Sequence, residues 1–217
     1  MFDLIRPRKV LKNRRVGVDA AVLTLERRAE TFSAGQHIEV GLPGAETRPY
    51  SLYSGESDPE LEILIRRVKG GRVSPHLFLL QPGDLVNVEA PQGRFNLAAC
   101  RPGERLLFLA TGTGVAPFRS FSRSRPDLEY ILVHGVRSPE DDFGAEFASG
   151  RRVLCVSGSV VPEGIFPGRV TKWLDQGQAV VYHHAYLCGN ARMIFEAFPK
   201  LVDAGMDEAF IHTETYF

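Results

Sequence analysis

The stretch LLFLATGTGVAP, residues 106–117, decides how the chain is read. Leu106–Ala110 is wholly apolar, as expected of a strand buried on both faces of a parallel sheet. Thr111-Gly112-Thr113-Gly114-Val115-Ala116-Pro117 then leaves that strand and opens a helix. Two glycines let the backbone approach a phosphate closely, and a helix start offers free N–H groups and a positive dipole end. The third glycine of the GxGxxG fingerprint is absent, so the strand-before, helix-after context carries the dinucleotide reading. The alternative is a tight strand-to-helix turn with no ligand.

C-terminal to this stretch, strands and helices alternate: Tyr130–His134, a helix near Glu140–Ala148, Arg152–Val156, a helix around Val170–Asp175, Ala185–Cys188, a helix over Ala191–Ala204, and Ala209–His212. That rhythm predicts a parallel α/β domain. N-terminal to it the texture differs. Short β segments (Val16–Leu25, His37–Val40, Leu61–Val68, Leu85–Ala90) are broken by turn chemistry, with one helical candidate at Ser74–Leu80. Ser74 is the expected N-cap, and Pro75 suits the first helical position. Strands so spaced predict a small antiparallel β-barrel. The expected fold class is β plus α/β, with a six-stranded-type barrel over residues 1–100 and an α/β domain over 101–217.

Composition narrows the function classes. The chain has 217 residues with 26 Lys+Arg against 26 Asp+Glu, 44% hydrophobic and 24% charged, which fits globular domains and excludes disordered or fibrous classes. Zero formal charge argues against a general nucleic-acid binder. The longest apolar run is about five residues, against the roughly 20 of a membrane span. No apolar segment follows the basic start, so the cytoplasm is the expected address. Cys100, Cys155 and Cys188 are too few and too scattered for a disulfide framework, a redox CxxC pair or a four-cysteine cluster. No metal site is expected: His37, His183 and His184 lack ligand spacing, and the last two read as exposed loop histidines. His134, at a strand end, reads as packing.

Several motifs carry chemistry. Arg48-Pro49-Tyr50-Ser51 sets a cation, a ring and a hydroxyl in four residues, with Arg48 and Tyr50 on one strand face and Ser51 on the other. Gly70-Gly71-Arg72-Val73-Ser74 is a second glycine turn into a helix start, hence a second anion site by the same physics. Two such sites suggest two phosphate-bearing ligands that must meet. Cys188-Gly189-Asn190 ends a strand and begins a helix, at the sheet end where α/β folds bind ligands; the alternative is a small buried cysteine. The terminal Glu214-Thr215-Tyr216-Phe217 has two aromatics that a free tail would not favour.

With these residues in place, the sequence resembles the plant-type ferredoxin–NADP+ reductase family, and within it the compact bacterial members. Arg48–Ser51, Gly70–Ser74, Pro91-Gln92-Gly93-Arg94-Phe95, Gly112–Pro117, Cys188–Asn190 and the aromatic terminus occur in the family's order. The resemblance implies an FAD-binding barrel followed by an NADP(H)-binding domain, acting as a stand-alone, monomeric reductase that moves a hydride between NADP(H) and FAD. Single electrons then pass to or from ferredoxin or flavodoxin.

By the same resemblance Arg48 binds the FAD pyrophosphate, Tyr50 stacks on the isoalloxazine, and Ser51 hydrogen-bonds near N5. Pro49, Ile65, Arg66 and the Gly70, Gly71, Arg72, Val73, Ser74 turn complete the FAD set. Thr111, Gly112, Thr113, Gly114 and Pro117 receive the nicotinamide dinucleotide with Gly189 and Asn190. Cys188 lies beside nicotinamide C4, and Glu214 near the reacting rings. Tyr216 covers the flavin until nicotinamide enters, and Phe217 stacks on the adenine. The implied catalytic residues are Ser51, Cys188, Glu214 and Tyr216.

The nucleotide's identity turns on a few residues. The second α/β strand ends His134-Gly135-Val136-Arg137, putting a cation where an NAD site usually has a carboxylate. Arg169 looks like a second 2′-phosphate contact. Against these, the Ser-Arg pair of many relatives appears here as Ser157-Gly158, and Asp141 or Asp142 could favour a ribose diol. The expectation is NADP. Two other functions stay open: an NAD(P)H:flavin reductase with loosely held flavin, and an electron-conducting subunit of a larger complex. Two basic clusters, Arg6, Arg8, Lys9, Lys12, Arg14, Arg15 and Arg66, Arg67, Lys69, Arg72, would steer an acidic carrier if they converge, or are solvated strand edges.

Overall fold

The computed structural model describes residues 6–147, 151–177 and 181–216. The chain forms two compact units, one running to Leu97 and including Ala116–Ser124, the other of Ala98–Val115 and the residues from Arg125 onward.

The first unit is an antiparallel sheet of β1 (Arg6–Arg15), β2 (Ala20–Leu25), β3 (His37–Gly41), β4 (Thr47–Ser51), β5 (Leu61–Arg66) and β6 (Leu85–Val88), in the order β4-β3-β6-β1-β2-β5. A bridge between Leu52 and Ile63, with Tyr53 N–H donating to Glu62 C=O at 2.7 Å, joins the end of β4 to β5 and closes the sheet. Closure removes the exposed edges that would otherwise invite misassociation. Leu23, Leu25, Ile38, Val40, Leu61, Ile63, Ile65 and Val86 fill the interior. Helix α1 (Ser74–Leu79) adds Leu77 and Phe78 to it.

Helix α2 (Ala116–Ser124) packs with this unit. Its Arg123 reaches Asp58 at 2.8 Å and Glu62 at 3.0 Å, and Ser120 Oγ donates to Ser54 C=O at 2.7 Å.

Two local features differ from the sequence expectation. Ser74 is not the N-cap of α1: Val73 holds that position, and Ser74 Oγ instead accepts the Val68 N–H at 3.1 Å, closing the glycine turn onto itself. The basic run at the start is not an edge either, because β1 pairs with β2 on one side and β6 on the other. Arg8 and Val10 alternate inward along it, and Arg8 forms a buried ion pair with Glu30. Burial would raise the Glu30 carboxyl, but the Arg8 guanidinium beside it holds it below the ordinary range.

The second unit is a parallel sheet of β7 (Arg105–Thr111), β8 (Glu129–Val136), β9 (Arg152–Val156), β10 (Phe166–Pro167), β11 (His184–Asn190) and β12 (Ile211–Tyr216), in the order β10-β9-β8-β7-β11-β12. Leu106–Ala110 is fully buried in its middle, as its uninterrupted apolar character demands. Helices α3 (Val170–Leu174) and α4 (Ala191–Asp203) cover one face, bringing Trp173, Met193, Ala197 and Leu201 against Leu107, Leu109, Val133 and Leu187.

The order reverses between β7 and β11. Successive strands after β7 run outward on one side, and β11 and β12 lie on the other. In open α/β sheets that reversal opens a crevice beyond the strands' carboxyl ends, where ligands bind.

The expected helix near Glu140–Ala148 is absent: Pro139–Asp141 is a single 3-10 turn, followed by irregular turns up to Phe147. Asp142 explains this, since its carboxylate is drawn 2.6 Å from Arg152 on β9 and accepts the Gly144 N–H at 3.1 Å, local bonding that competes with a helix. His184 is likewise not an exposed loop residue. It opens β11, is buried, and lies 3.1 Å from His212 and 3.3 Å from Glu104. Among the described residues no helix is long and apolar enough to cross a membrane.

Candidate functional site

On the first unit, the residues expected to take a diphosphate are brought together. Arg48 on β4 and Arg72 on the glycine turn converge on one carboxylate, Glu46, at 2.5 Å and 3.0 Å. Both guanidinium groups stay largely exposed, and planar forks of this kind suit the bidentate capture of phosphate oxygens. Glu46 itself was not anticipated. Its place, two residues before Arg48 on the adjacent turn of chain, is the only sequence signal for it.

Gly70 adopts φ +77, a conformation that keeps the turn open to glycine alone, and Gly71 N–H bonds back to Val68 C=O at 2.9 Å. Tyr50 packs on the barrel core, and burial pushes its phenol up to about 12, so it presents a neutral ring. Ser51, next along β4, is buried on the opposite side, as strand alternation requires. Pro49, between Arg48 and Tyr50, is exposed. Ile65 turns its side chain into the core, leaving only its main chain for a ligand, whereas Arg66 is exposed at the strand end. These residues fit an FAD diphosphate and ring.

On the second unit, the carboxyl ends of β7 and β11 close on each other at the reversal point. Thr111 Oγ1 accepts the Asn190 N–H at 2.9 Å. A Cβ on Gly114 would lie 2.6 Å from the Cys188 carbonyl carbon and 2.7 Å from Gly189 Cα. A Cβ on Gly189, at φ +127, would lie 2.7 Å from Thr111 O. Both glycines are therefore required by backbone contact. Gly112–Val115 forms a 3-10 turn that includes Thr113 and runs into α2, where Pro117 is buried. Asn190 caps α4, its side chain accepting the Arg192 N–H at 2.9 Å.

Cys188 is fully buried, and its Sγ–H points to Glu214 at 3.9 Å across the in-register pair of β11 and β12. Burial and the facing Glu214 carboxylate push the thiol well above its ordinary value, although a hydrogen bond with Tyr216 acts the other way. Cys188 is thus a neutral thiol, a poor nucleophile and a good fixed wall. Tyr216 lies opposite Asn190 in the same register. Phe217 lies outside the described residues.

The expected nucleotide-discriminating residues are dispersed. Arg137 is exposed just after β8. Gly158 follows from it: Gly158 N–H donates to Arg137 C=O at 2.9 Å, and any Cβ there would run into that oxygen. The missing Ser-Arg pair therefore has a local steric cause. Arg169, the N-cap residue of α3, lies 3.9 Å from Glu196, which also holds Arg192 at 2.7 Å. Arg192 is a second exposed cation there, which single-residue reading missed. Asp142 is engaged by Arg152 and is withdrawn as a ribose ligand.

The comparisons with known proteins agree on an FAD-dependent oxidoreductase. Residues 8–97 match the oxidoreductase FAD-binding domain family. The chain is 29% identical to the flavodoxin/ferredoxin–NADP reductase of Escherichia coli (strain K12) over 79% of each sequence. Its fold superposes on a ferredoxin NADP+ reductase from Neisseria gonorrhoeae with TM-score 0.89, 24% identity and full coverage of both chains. It also superposes on the cytochrome P450 reductase GcoB of Amycolatopsis with TM-score 0.85 and 29% identity, over 98% of this chain and 71% of that one. The chain is thus similar to ferredoxin–NADP+ reductases over most of its length.

Proposed function

We propose that the chain is a ferredoxin- or flavodoxin–NADP+ reductase, taking a hydride from NADPH and delivering single electrons to an acidic carrier. The observation that carries this reading is the closed pair of strand ends at Thr111–Gly114 and Cys188–Asn190, with a buried neutral thiol and a carboxylate beside it. Residues 1–100 are assigned to FAD and 101–217 to NADP(H). Bound FAD supplies the conversion of a two-electron donor into single-electron deliveries.

The chain's residues bind and orient. Arg48 and Arg72 hold the diphosphate of FAD, with the Gly70–Ser74 turn beside them. Tyr50 supplies the stacking face, and Ser51 the hydrogen bond near N5. Thr111–Gly114 and Pro117, with Gly189 and Asn190, receive the nicotinamide dinucleotide. Cys188 sets the position of the nicotinamide ring, Glu214 fixes the thiol, and Tyr216 gives way as the ring enters. Near-attack placement of this kind accounts for much of an enzyme's rate.

NADP rather than NAD is supported by Arg137, by the Arg169 and Arg192 pair, and by the engagement of Asp142 elsewhere. An acidic carrier is supported by the barrel register. Arg15 pairs with Ala21, which pairs with Ile65, so the two basic clusters meet at one end of the barrel. There Arg15 and Arg67 both lie over the Phe78 ring, at 3.5 Å and 4.9 Å. We assign the enzyme to the cytoplasm as a monomer.

Steady-state kinetics of the FAD-loaded chain test the proposal. NADPH is expected to exceed NADH by at least about tenfold in kcat/KM, and carrier reduction is expected to slow as salt rises. A preference for NADH would overturn the nucleotide assignment, and indifference to salt would remove the acidic carrier.

A further inference from the structure

His134 is fully buried, yet it is not simply packing. Its Nε2 lies 2.9 Å from the carbonyl oxygen of Gly112, the first glycine after β7. A carbonyl can only accept, so the ring nitrogen carries the proton and donates. On the other side, Nδ1 lies 3.6 Å from Asp142 Oδ1. That carboxylate is fixed by Arg152 at 2.6 Å and by the Gly144 N–H at 3.1 Å. Burial would raise the Asp142 carboxyl, but His134 and Arg152 hold it below its ordinary range. Gly144 allows the approach, since a Cβ there would stand 3.1 Å from His134 Nδ1.

The chain of contacts Arg152–Asp142–His134 therefore ends on the backbone of Gly112, whose φ of +52 only glycine adopts readily. Strands β7 and β8 run parallel with Ala110 opposite His134, so the imidazole reaches one residue past the strand end, where the turn begins. We propose that His134 is a positioning residue that pins the Gly112 carbonyl and so holds the Gly112–Val115 turn in the shape that receives the nicotinamide dinucleotide. The proposal rests on the nucleotide reading of that turn. The Asp142 carboxylate, held by Arg152, faces Nδ1 at 3.6 Å, beyond hydrogen-bond reach, and acts on the ring through its charge.

The test compares His134→Leu, His134→Gln and Asp142→Asn with the wild-type FAD-loaded chain. It reads NADP+ dissociation constants by flavin difference spectra alongside kcat and KM for NADPH. His134→Leu is expected to raise both Kd and KM about tenfold, the cost of leaving one buried carbonyl unpaired, with kcat changed less than about twofold. His134→Gln keeps an N–H donor near Nε2 and is expected to recover most of the loss. Asp142→Asn is expected to fall between them.

Equal behaviour of the Leu and Gln variants, or a fall in kcat with Kd and KM unchanged, would overturn the positioning role. If the Leu variant fails to fold, the Gln and Asn variants decide: wild-type Kd in Asp142→Asn together with a tenfold loss in His134→Gln contradicts the proposal. A wild-type chain that binds neither NADP+ nor NAD+ removes the nucleotide reading itself, a result distinct from a wild type that binds and variants that bind equally well.

Discussion

Gly114→Ala is expected to abolish reduction by nicotinamide nucleotides while leaving FAD binding intact. The added Cβ would stand 2.6 Å from the Cys188 carbonyl carbon and 2.7 Å from Gly189 Cα, backbone atoms that cannot rotate away. Relief requires the ends of β7 and β11 to part, which also strains the Asn190 N–H bond to Thr111. Overpacking of this kind costs about 1–3 kcal/mol, and contact with backbone on both sides puts it near about 3. The rate of NADPH-driven flavin reduction should fall at least about a hundredfold, because misplacement of a reactant by about 1 Å is worth that much. The flavin spectrum should be little changed, since the residues proposed to hold the FAD diphosphate lie on the barrel. Thermal unfolding and stopped-flow reduction of the same preparation measure both effects. Wild-type rates in this variant would show that the strand ends need not be closed for nucleotide use.

Cys188→Ala should slow the same step about a hundredfold, with the FAD affinity and the NADP+ Kd within about twofold of wild type. The thiol is neutral and directed at Glu214, so what is lost is a wall and an oriented S–H, not a nucleophile. Cys188→Ser tests this directly: it restores a donor toward Glu214 and should recover part of the rate. Glu214→Gln should resemble Cys188→Ala more than wild type, because an amide orients the thiol less firmly than a carboxylate. Because Cys188 is buried, the alanine variant should also lose about 1 kcal/mol of stability, from one removed atom and a small cavity. Single-turnover reduction of the FAD-loaded variants by NADPH measures the rate. Unchanged rates in both Cys188→Ala and Glu214→Gln would sink this assignment.

How far the sequence could be read depended on how local each signal was. Leu106–Ala110 and the turn after it are legible because a strand buried on both faces must be apolar throughout, and because glycines there answer to a backbone contact. Cys188-Gly189-Asn190 is legible for the same reason. Strand β1 is harder, since Arg8 counts as an inward residue only once Glu30, far along the chain, neutralises it. The helix expected near Glu140–Ala148 fails because Arg152 and His134, on neighbouring strands, claim Asp142. His184 looks exposed beside His183 until β7 and β12 bring Glu104 and His212 to it. Glu46 and Arg192 are ordinary surface charges in sequence, and become informative only where each closes a pair of arginines and a carboxylate. Long-range charge pairing is the common cause of what stayed hidden.

The proposed reaction reduces flavin held by this chain with nicotinamide held by the same chain. The direct measurement is an anaerobic titration of the FAD-loaded protein with NADPH, and separately with NADH, following the visible flavin absorbance. Loss of the oxidised flavin spectrum with about one equivalent of NADPH, and more slowly with NADH, is the predicted result. An FAD-loaded chain whose spectrum neither nucleotide alters would contradict it.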